Sequence, residues 1–170
     1  MRIELTHAVI RSWRSDDAET IAVHANDRDV SINLRDLFPH PYTVADAEEW
    51  IRFACEADPE THFAVEVGGE AAGGIGYKLG QDVERTGAEL GAWLGKKYWG
   101  RGIMTEALVA IRDHALDTHG LTRVWGVPFD HNAASVRILE KADFEFEGRL
   151  RRSVIKNGEI FDQLMYAYVR

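Results

Sequence analysis

The chain has 170 residues, of which 45% are hydrophobic, a formal net charge of −8 and an isoelectric point near 5.3. The apolar fraction predicts one domain, residues 1–170, with a buried core, and excludes an intrinsically disordered chain. The acidic balance argues against partners such as nucleic acid or a membrane surface, and no apolar run approaches the roughly 20 residues that span a bilayer.

The cysteine and histidine content excludes several kinds of site. A single cysteine, Cys55, rules out an intramolecular disulfide, and the seven histidines lack zinc spacing, so we expect no metal. Residues 1–10 are too polar for a signal peptide, and we therefore expect a cytoplasmic protein. We expect Cys55 to be a buried small hydrophobe, and most of the large aromatic side chains to be core candidates, namely Trp13, Trp50, Tyr77 and Trp125.

The N-terminal part of the chain predicts one strand and two helices. Residues 9–13 form a short apolar run typical of a strand, and the polar residues from Ser15 supply N-cap chemistry for a helix. The pattern breaks down over residues 26–42. Thr43 and Asp46 then form a near capping box, which indicates a second helix.

The middle of the chain changes to the period of a strand. A Gly68-Gly69-Glu70 turn is predicted to join two strands, the second over residues 71–79. Another strand, residues 88–94, has one face formed by Glu89, Gly91 and Trp93. Because Gly91 lacks a side chain, space is expected over that face.

The C-terminal half predicts two helices and three strands. They cover residues 103–118, 122–127, 133–142, 144–155 and 159–169. Asn132 is placed to cap the second helix, and Asn157-Gly158 is a strong hairpin signal. The whole pattern is mixed α/β (α+β) with many adjacent hairpins.

Residues 96–105 connect a strand to a helix through Gly100 and Gly102. Unpaired backbone N–H groups at the positive end of a helix dipole can hold an anion such as phosphate. A P-loop is excluded because Leu90 stands where its first glycine should be, and a dinucleotide fingerprint would need glycine in place of Thr105. From the glycines alone, a turn without a ligand is equally compatible.

The motifs around this loop resemble one family. Lys97-Tyr-Trp-Gly100-Arg-Gly102 resembles the Gln/Arg-x-x-Gly-x-Gly/Ala signature of the GCN5-related N-acetyltransferase (GNAT) superfamily, and residues 102–107 resemble its ribosomal-protein N-terminal, RimJ/RimL-like branch. Further matches occur in the family's order at residues 89–94, 132–135, 139–148 and 157–158. Lys97 departs from the usual Gln or Arg, and Asp143 from the usual glycine.

The resemblance implies a fold and an activity. The fold would be a central mixed, mostly antiparallel sheet of about seven strands flanked by helices, splayed between its fourth and fifth strands, residues 88–94 and 122–127. The activity would be transfer of the acetyl group of acetyl-CoA, by direct attack on the thioester, to a primary amine of a small molecule or a protein N-terminus. The alternative is a catalytically silent acyl-CoA-binding module. We expect a monomer or homodimer.

The resemblance also assigns the cofactor-binding residues. Backbone groups of Trp93 and Leu94 would bond the pantetheine arm of acetyl-CoA, and Asn132 would bond it too or only cap its helix. The N–H groups of the loop would hold the pyrophosphate, which involves Lys97, Tyr98, Trp99, Gly100, Arg101, Gly102 and Ile103. The side chains of Lys97 and Arg101 either add positive charge or are solvated.

Two catalytic residues follow from the chemistry and the resemblance. An amine attacks a thioester only when it is neutral, so a proton acceptor is useful. Glu89 is the candidate base, because burial on the face opened by Gly91 would favour its protonation, although it could also be a surface carboxylate or bind the substrate ammonium. Many relatives use a tyrosine as the acid where Leu139 stands here, so the resemblance makes Ser135 the candidate that bonds the leaving sulfur, unless it only helps start a helix.

Overall fold

Eight strands and five α-helices make up the computed structural model, which describes every residue from Met1 to Arg170. The strands are β1 (Arg2–Glu4), β2 (Val9–Ser12), β3 (His62–Val67), β4 (Glu70–Leu79), β5 (Gly87–Leu94), β6 (Arg123–Gly126), β7 (Glu145–Lys156) and β8 (Glu159–Val169). The helices are α1 (Ala18–Ala25), α2 (Arg28–Ser31), α3 (Val44–Glu56), α4 (Ile103–His119) and α5 (Ala133–Lys141). None of them is both long enough and apolar enough to cross a lipid bilayer.

The strands form one mixed sheet in the order β1-β2-β3-β4-β5-β6-β8-β7. The sheet has one strand more than expected, because the short β1 pairs with β2, and the expected fourth and fifth strands are therefore β5 and β6. These two pair in parallel, with Gly87 opposite Arg123 and Glu89 opposite Trp125. No pairing with β6 is present beyond Glu89, which matches the expected splay.

Residue contacts divide the chain into two compact units. One comprises Met1–Gly76 with Ala92–Ala107, and the other Tyr77–Gly91 with Leu108–Arg170. The strands β4 and β5 and the helix α4 each contribute residues to both units.

In the first unit, α1 and α3 bury small and aliphatic side chains together with Trp13 and Tyr42. The predicted capping box of α3 is confirmed, since the Thr43 backbone N–H donates to Asp46 at 2.7 Å and the Asp46 N–H donates to the Thr43 hydroxyl at 3.2 Å. The hydrogen bonds from Thr43 lower the pKa of Asp46 below its usual value. The box therefore fixes the start of α3.

A buried ion cluster joins three elements of the first unit. Arg11 on β2 is 3% exposed and donates to both carboxylate oxygens of Asp17, at 2.7 and 2.8 Å. Its Nε also donates to Glu66 on β3 at 2.5 Å. The hydrogen bond to Asp17 raises the pKa of Arg11, with burial acting in the opposite direction. This cluster links β2, the turn before α1, and β3.

Three expectations for the first unit, for Cys55, for Trp50 and for residues 26–42, are wrong in whole or in part. Cys55 is exposed and Trp50 is 36% exposed, because α3 turns the stripe of Ala47, Ile51 and Ala54 toward the core and leaves neighbouring positions outside it. The region expected to be irregular also contains α2, which the Asp27 side chain caps by accepting from the Asp29 N–H at 2.7 Å.

The second unit contains most of α4, then β6, α5 and the β7–β8 hairpin. Gly120 ends α4 with a φ of 61°, as its position predicted, and Asn157 and Gly158 form the predicted hairpin turn with φ values of 52° and 83°. Asp143, just after α5, has a φ of 62°, in the left-handed region that favours glycine. Arg112, 6% exposed, donates to the Ala142 carbonyl at 2.7 Å and secures this end of α5.

Candidate functional site

The loop after β5 begins with a tight turn whose own hydrogen bonds use part of its backbone. The Tyr98 N–H donates to Gly95 at 2.9 Å, and the Trp99 N–H donates to Lys96 at 3.2 Å. The Gly95 N–H donates to Ala72 on β4 at 2.8 Å, which ties the turn to the sheet. Of the N–H groups predicted to hold pyrophosphate, those of Tyr98 and Trp99 are thus engaged within the turn.

The next residues, 100–105, form what we call the cradle. Gly100 and Gly102 have φ values of 75° and 78°, and a Cβ built on either would meet nothing within 4 Å. The N–H groups of residues 100–105 donate to no protein acceptor, and the first helical bond of α4 runs from Glu106 to Gly102 at 3.1 Å. A row of unpaired donors at the start of a 17-residue helix is a site for an anion such as a pyrophosphate.

Two cations lie beside the cradle. Lys97 Nζ is 5.1 Å and the Arg101 guanidinium 5.4 Å from the centre of the Tyr98 ring, while Arg101 also donates to the Lys97 carbonyl at 3.2 Å. Tyr98 itself is buried, and its hydroxyl donates to Glu70 at 3.4 Å. The two cationic side chains are exposed yet held over one ring, so they add positive charge next to the unpaired N–H groups.

At the end of β5, the side chains of Trp93 and Leu94 pack against other parts of the protein. The Trp93 ring packs against Phe38 with 5.0 Å between ring centres, and a Cβ on Gly74 would come within 2.9 Å of its Nε1. The Leu94 side chain is buried, but its carbonyl accepts from the Trp99 indole at 2.7 Å. Their side chains serve packing and the Leu94 carbonyl already accepts one hydrogen bond, so a ligand has only the remaining backbone capacity of these two residues to bind.

Glu89 lies on β5, in the second unit. Glu89 is half-buried and stands opposite Trp125, at the last position of β5 that pairs with β6. Gly91, on the same face of β5, is exposed, and a Cβ there would meet nothing within 4 Å. The space that the sequence predicted next to Glu89 is therefore present.

Asn132 and Ser135 lie at the start of α5, also in the second unit. The Asn132 side chain accepts from the Ser135 N–H at 3.1 Å, so its predicted role as the helix cap is confirmed. Ser135 is half-buried, and its hydroxyl makes no hydrogen bond to the protein. Leu139 is buried with its Cδ2 3.1 Å from where a Cβ on Gly126 would lie, so that position offers packing and no proton.

Sequence reasoning missed a polar cleft beside the loop. It has a volume of about 510 Å³ and is lined by α1, the start of β4 and the turn after β5, through Thr20, Val23, His24, Asn26, Asp27, Glu70, Lys96 and Lys97. Its Glu70 carboxylate lies 3.5 Å from His24 and 4.0 Å from Lys97. These residues come from three distant segments, so no local motif could have predicted that they meet.

Comparison with known proteins gives one consistent family. The family model described as "Acetyltransferase (GNAT) domain" matches residues 7–145. The uncharacterized N-acetyltransferase p20 of Bacillus licheniformis is 25% identical over 169 residues, covering 95% of this chain and 92% of p20.

Solved structures of acetyltransferases share the fold. The ribosomal L7/L12 alpha-N-protein acetyltransferase RimL, in complex with coenzyme A, superimposes with a TM-score of 0.88 at 18% identity, covering 99% of this chain and 98% of RimL. The microcin C7 self immunity acetyltransferase MccE, in complex with acetyl-CoA and AMP, gives a TM-score of 0.85 at 20% identity, covering 98% and 94% of the two chains.

Proposed function

The chain belongs to the acetyltransferase (GNAT) family and is an N-acetyltransferase, and on that premise we propose that it moves the acetyl group of acetyl-CoA to a primary amine by direct attack of the amine on the thioester. The acceptor is a small-molecule amine or a protein N-terminus. The observation that carries the proposal is the cradle, whose unpaired N–H groups lie at the start of α4. The expected RimJ/RimL-like resemblance agrees with the fold shared with RimL.

The cradle fits the donor substrate by charge and by space. Its N–H groups and the helix dipole favour an anion, and Gly100 and Gly102 keep side chains away from it. Lys97 and Arg101 supply the remaining positive charge. Residues 100–105 would therefore hold the pyrophosphate, while backbone groups of Trp93 and Leu94 and the amide of Asn132 would bond the pantetheine arm.

Two side chains would serve the reaction itself. As the amine attacks, it must lose a proton, and the half-buried Glu89 carboxylate would accept it directly or through water. The sulfur leaves with developing negative charge, which the unengaged hydroxyl of Ser135 would stabilise by donating a hydrogen bond. The α5 cap formed by Asn132 fixes the backbone from which Ser135 projects.

Replacing Ser135 tests the leaving-group role. We expect Ser135→Ala to lower turnover about 10- to 100-fold, since a hydrogen bond to a charged group contributes roughly 1.5–3 kcal/mol. Ser15→Ala is the matched control, because Ser15 is exposed and precedes α1. Initial rates of thiol release at saturating acetyl-CoA provide the measurement, and wild-type turnover in Ser135→Ala would remove Ser135 from the reaction.

The proposed function as a whole is tested with a panel of acceptors. Small amines, polyamines, amino acids and peptides with free N-termini are incubated with acetyl-CoA, and free thiol and acetylated product are measured together. We expect acetylated product in step with thiol release for at least one class. Binding of acetyl-CoA without transfer to any acceptor would favour the silent acyl-CoA-binding module instead.

A further inference from the structure

The indole of Trp99 makes a contact that its burial does not explain. Its Nε1 donates to the Leu94 carbonyl at 2.7 Å, although the residue is 45% exposed. An exposed tryptophan ring on a loop is not held in place by the hydrophobic effect alone. The hydrogen bond therefore fixes the ring, and the ring in turn fixes the backbone of residue 99.

The Leu94 carbonyl is an acceptor that does not pair with β4. The neighbouring Gly95 N–H donates toward β4, to Ala72 at 2.8 Å. Since successive residues of a strand direct their backbone polar groups to opposite edges, the Leu94 carbonyl points away from β4. The indole bond thus anchors the loop to the end of β5 through a group that β4 does not engage.

The first part of the cradle, residues 100–102, has few other restraints before α4 begins at the buried Ile103. Gly100 and Gly102 have open space around them, and glycine gives a loop more conformational freedom than any other residue. The Arg101 side chain donates only to Lys97 and lies over Tyr98. Both partners belong to the same loop, so these contacts do not attach the loop to the sheet. The Trp99 indole is the last side-chain anchor to the sheet ahead of the unpaired N–H groups.

We propose that Trp99 is a positioning residue for the cradle, and that its indole bond to Leu94 holds residues 100–105 in the conformation that binds the pyrophosphate of acetyl-CoA. The inference rests on the proposed function. A loop held in its bound conformation loses less entropy when the ligand arrives, so the bond stabilises the complex without touching the ligand. Only the binding of ligands that carry the pyrophosphate is strengthened in this way.

The experiment removes the indole N–H and keeps a large ring, by Trp99→Phe. We expect the Kd for acetyl-CoA, measured by calorimetry, to rise about 3- to 10-fold, the range that one net hydrogen bond supplies. The KM for acetyl-CoA rises by the same factor, and the loss does not appear in kcat. The Kd for S-acetylpantetheine, which lacks the pyrophosphate, stays at the wild-type value in titrations followed by NMR.

Trp50→Phe is the matched control, because Trp50 lies on α3 with its ring against Phe53 and His62. It is expected to bind both ligands as the wild type does. An unchanged or lower Kd for acetyl-CoA in Trp99→Phe overturns the inference, as does an equal rise for both ligands. Wild-type protein that does not bind acetyl-CoA would instead overturn the proposed function, so the two failures are distinguishable.

Discussion

Glu89→Gln is expected to lower kcat by roughly 100-fold or more near neutral pH, because general-base assistance contributes at least about that factor. Glutamine keeps the shape of the side chain and one acceptor oxygen at the end of the β5–β6 pairing, but its neutral amide cannot accept the proton of the attacking amine. With rising pH the variant should recover activity relative to wild type, since an α-amine loses its proton unaided above about pH 8. Rates of thiol release at about ten pH values between roughly 6 and 10 measure both the loss of kcat and its recovery with pH.

The control for this substitution is Glu84→Gln, an exposed carboxylate in the turn between β4 and β5. It should leave the rate and the pH profile as they are. If Glu89→Gln has a pH profile parallel to the wild type and loses only affinity for the amine, Glu89 binds the ammonium and is not the base.

Arg11→Met is expected to destabilise the fold by about 3–5 kcal/mol, the loss typical of removing one partner of a buried ion pair. Methionine retains much of the apolar stem of Arg11, but the Asp17 carboxylate, in a residue 5% exposed, then loses both hydrogen bonds from Arg11 and keeps only the one from the Arg14 backbone N–H. Glu66 loses its 2.5 Å bond to Nε as well. Urea denaturation followed by tryptophan fluorescence measures the free energy of unfolding.

Arg14 is the matched control, because it lies near the same Glu66 carboxylate as Arg11. Arg14, whose side chain is 56% exposed, lies 3.9 Å from Glu66, and Arg14→Met should change the free energy of unfolding by at most about 1 kcal/mol. Equal changes in the free energy of unfolding for the two substitutions would show that the burial of Arg11 does not make its ion pairs more stabilising than an exposed pair.

The elements of the fold with regular patterns were predictable from the sequence. The α3 capping box, the Asn157-Gly158 hairpin and the Asn132 cap all depend on neighbours within four residues, and all three are present. The order of the motifs identified the family, which the match over residues 7–145 confirms.

Features that depend on distant neighbours were not predictable in this way. The strand β1 forms only because β2 offers an edge, and the polar cleft joins residues from three segments. The exposure of Cys55 and Trp50 depends on which stripe of α3 meets α1. In the loop, the sequence indicated backbone donors but not that the N–H groups of Tyr98 and Trp99 are used by the turn, nor that the Trp99 indole reaches Leu94.

Amide NMR tests residue by residue whether the cradle binds the pyrophosphate of acetyl-CoA. In a titration of ¹⁵N-labelled protein with acetyl-CoA, we predict that the amide signals of residues 100–105 move most, because their N–H groups gain anionic acceptors that the protein does not provide. Saturable binding that leaves those signals in place and moves signals elsewhere would show that the pyrophosphate binds at another place.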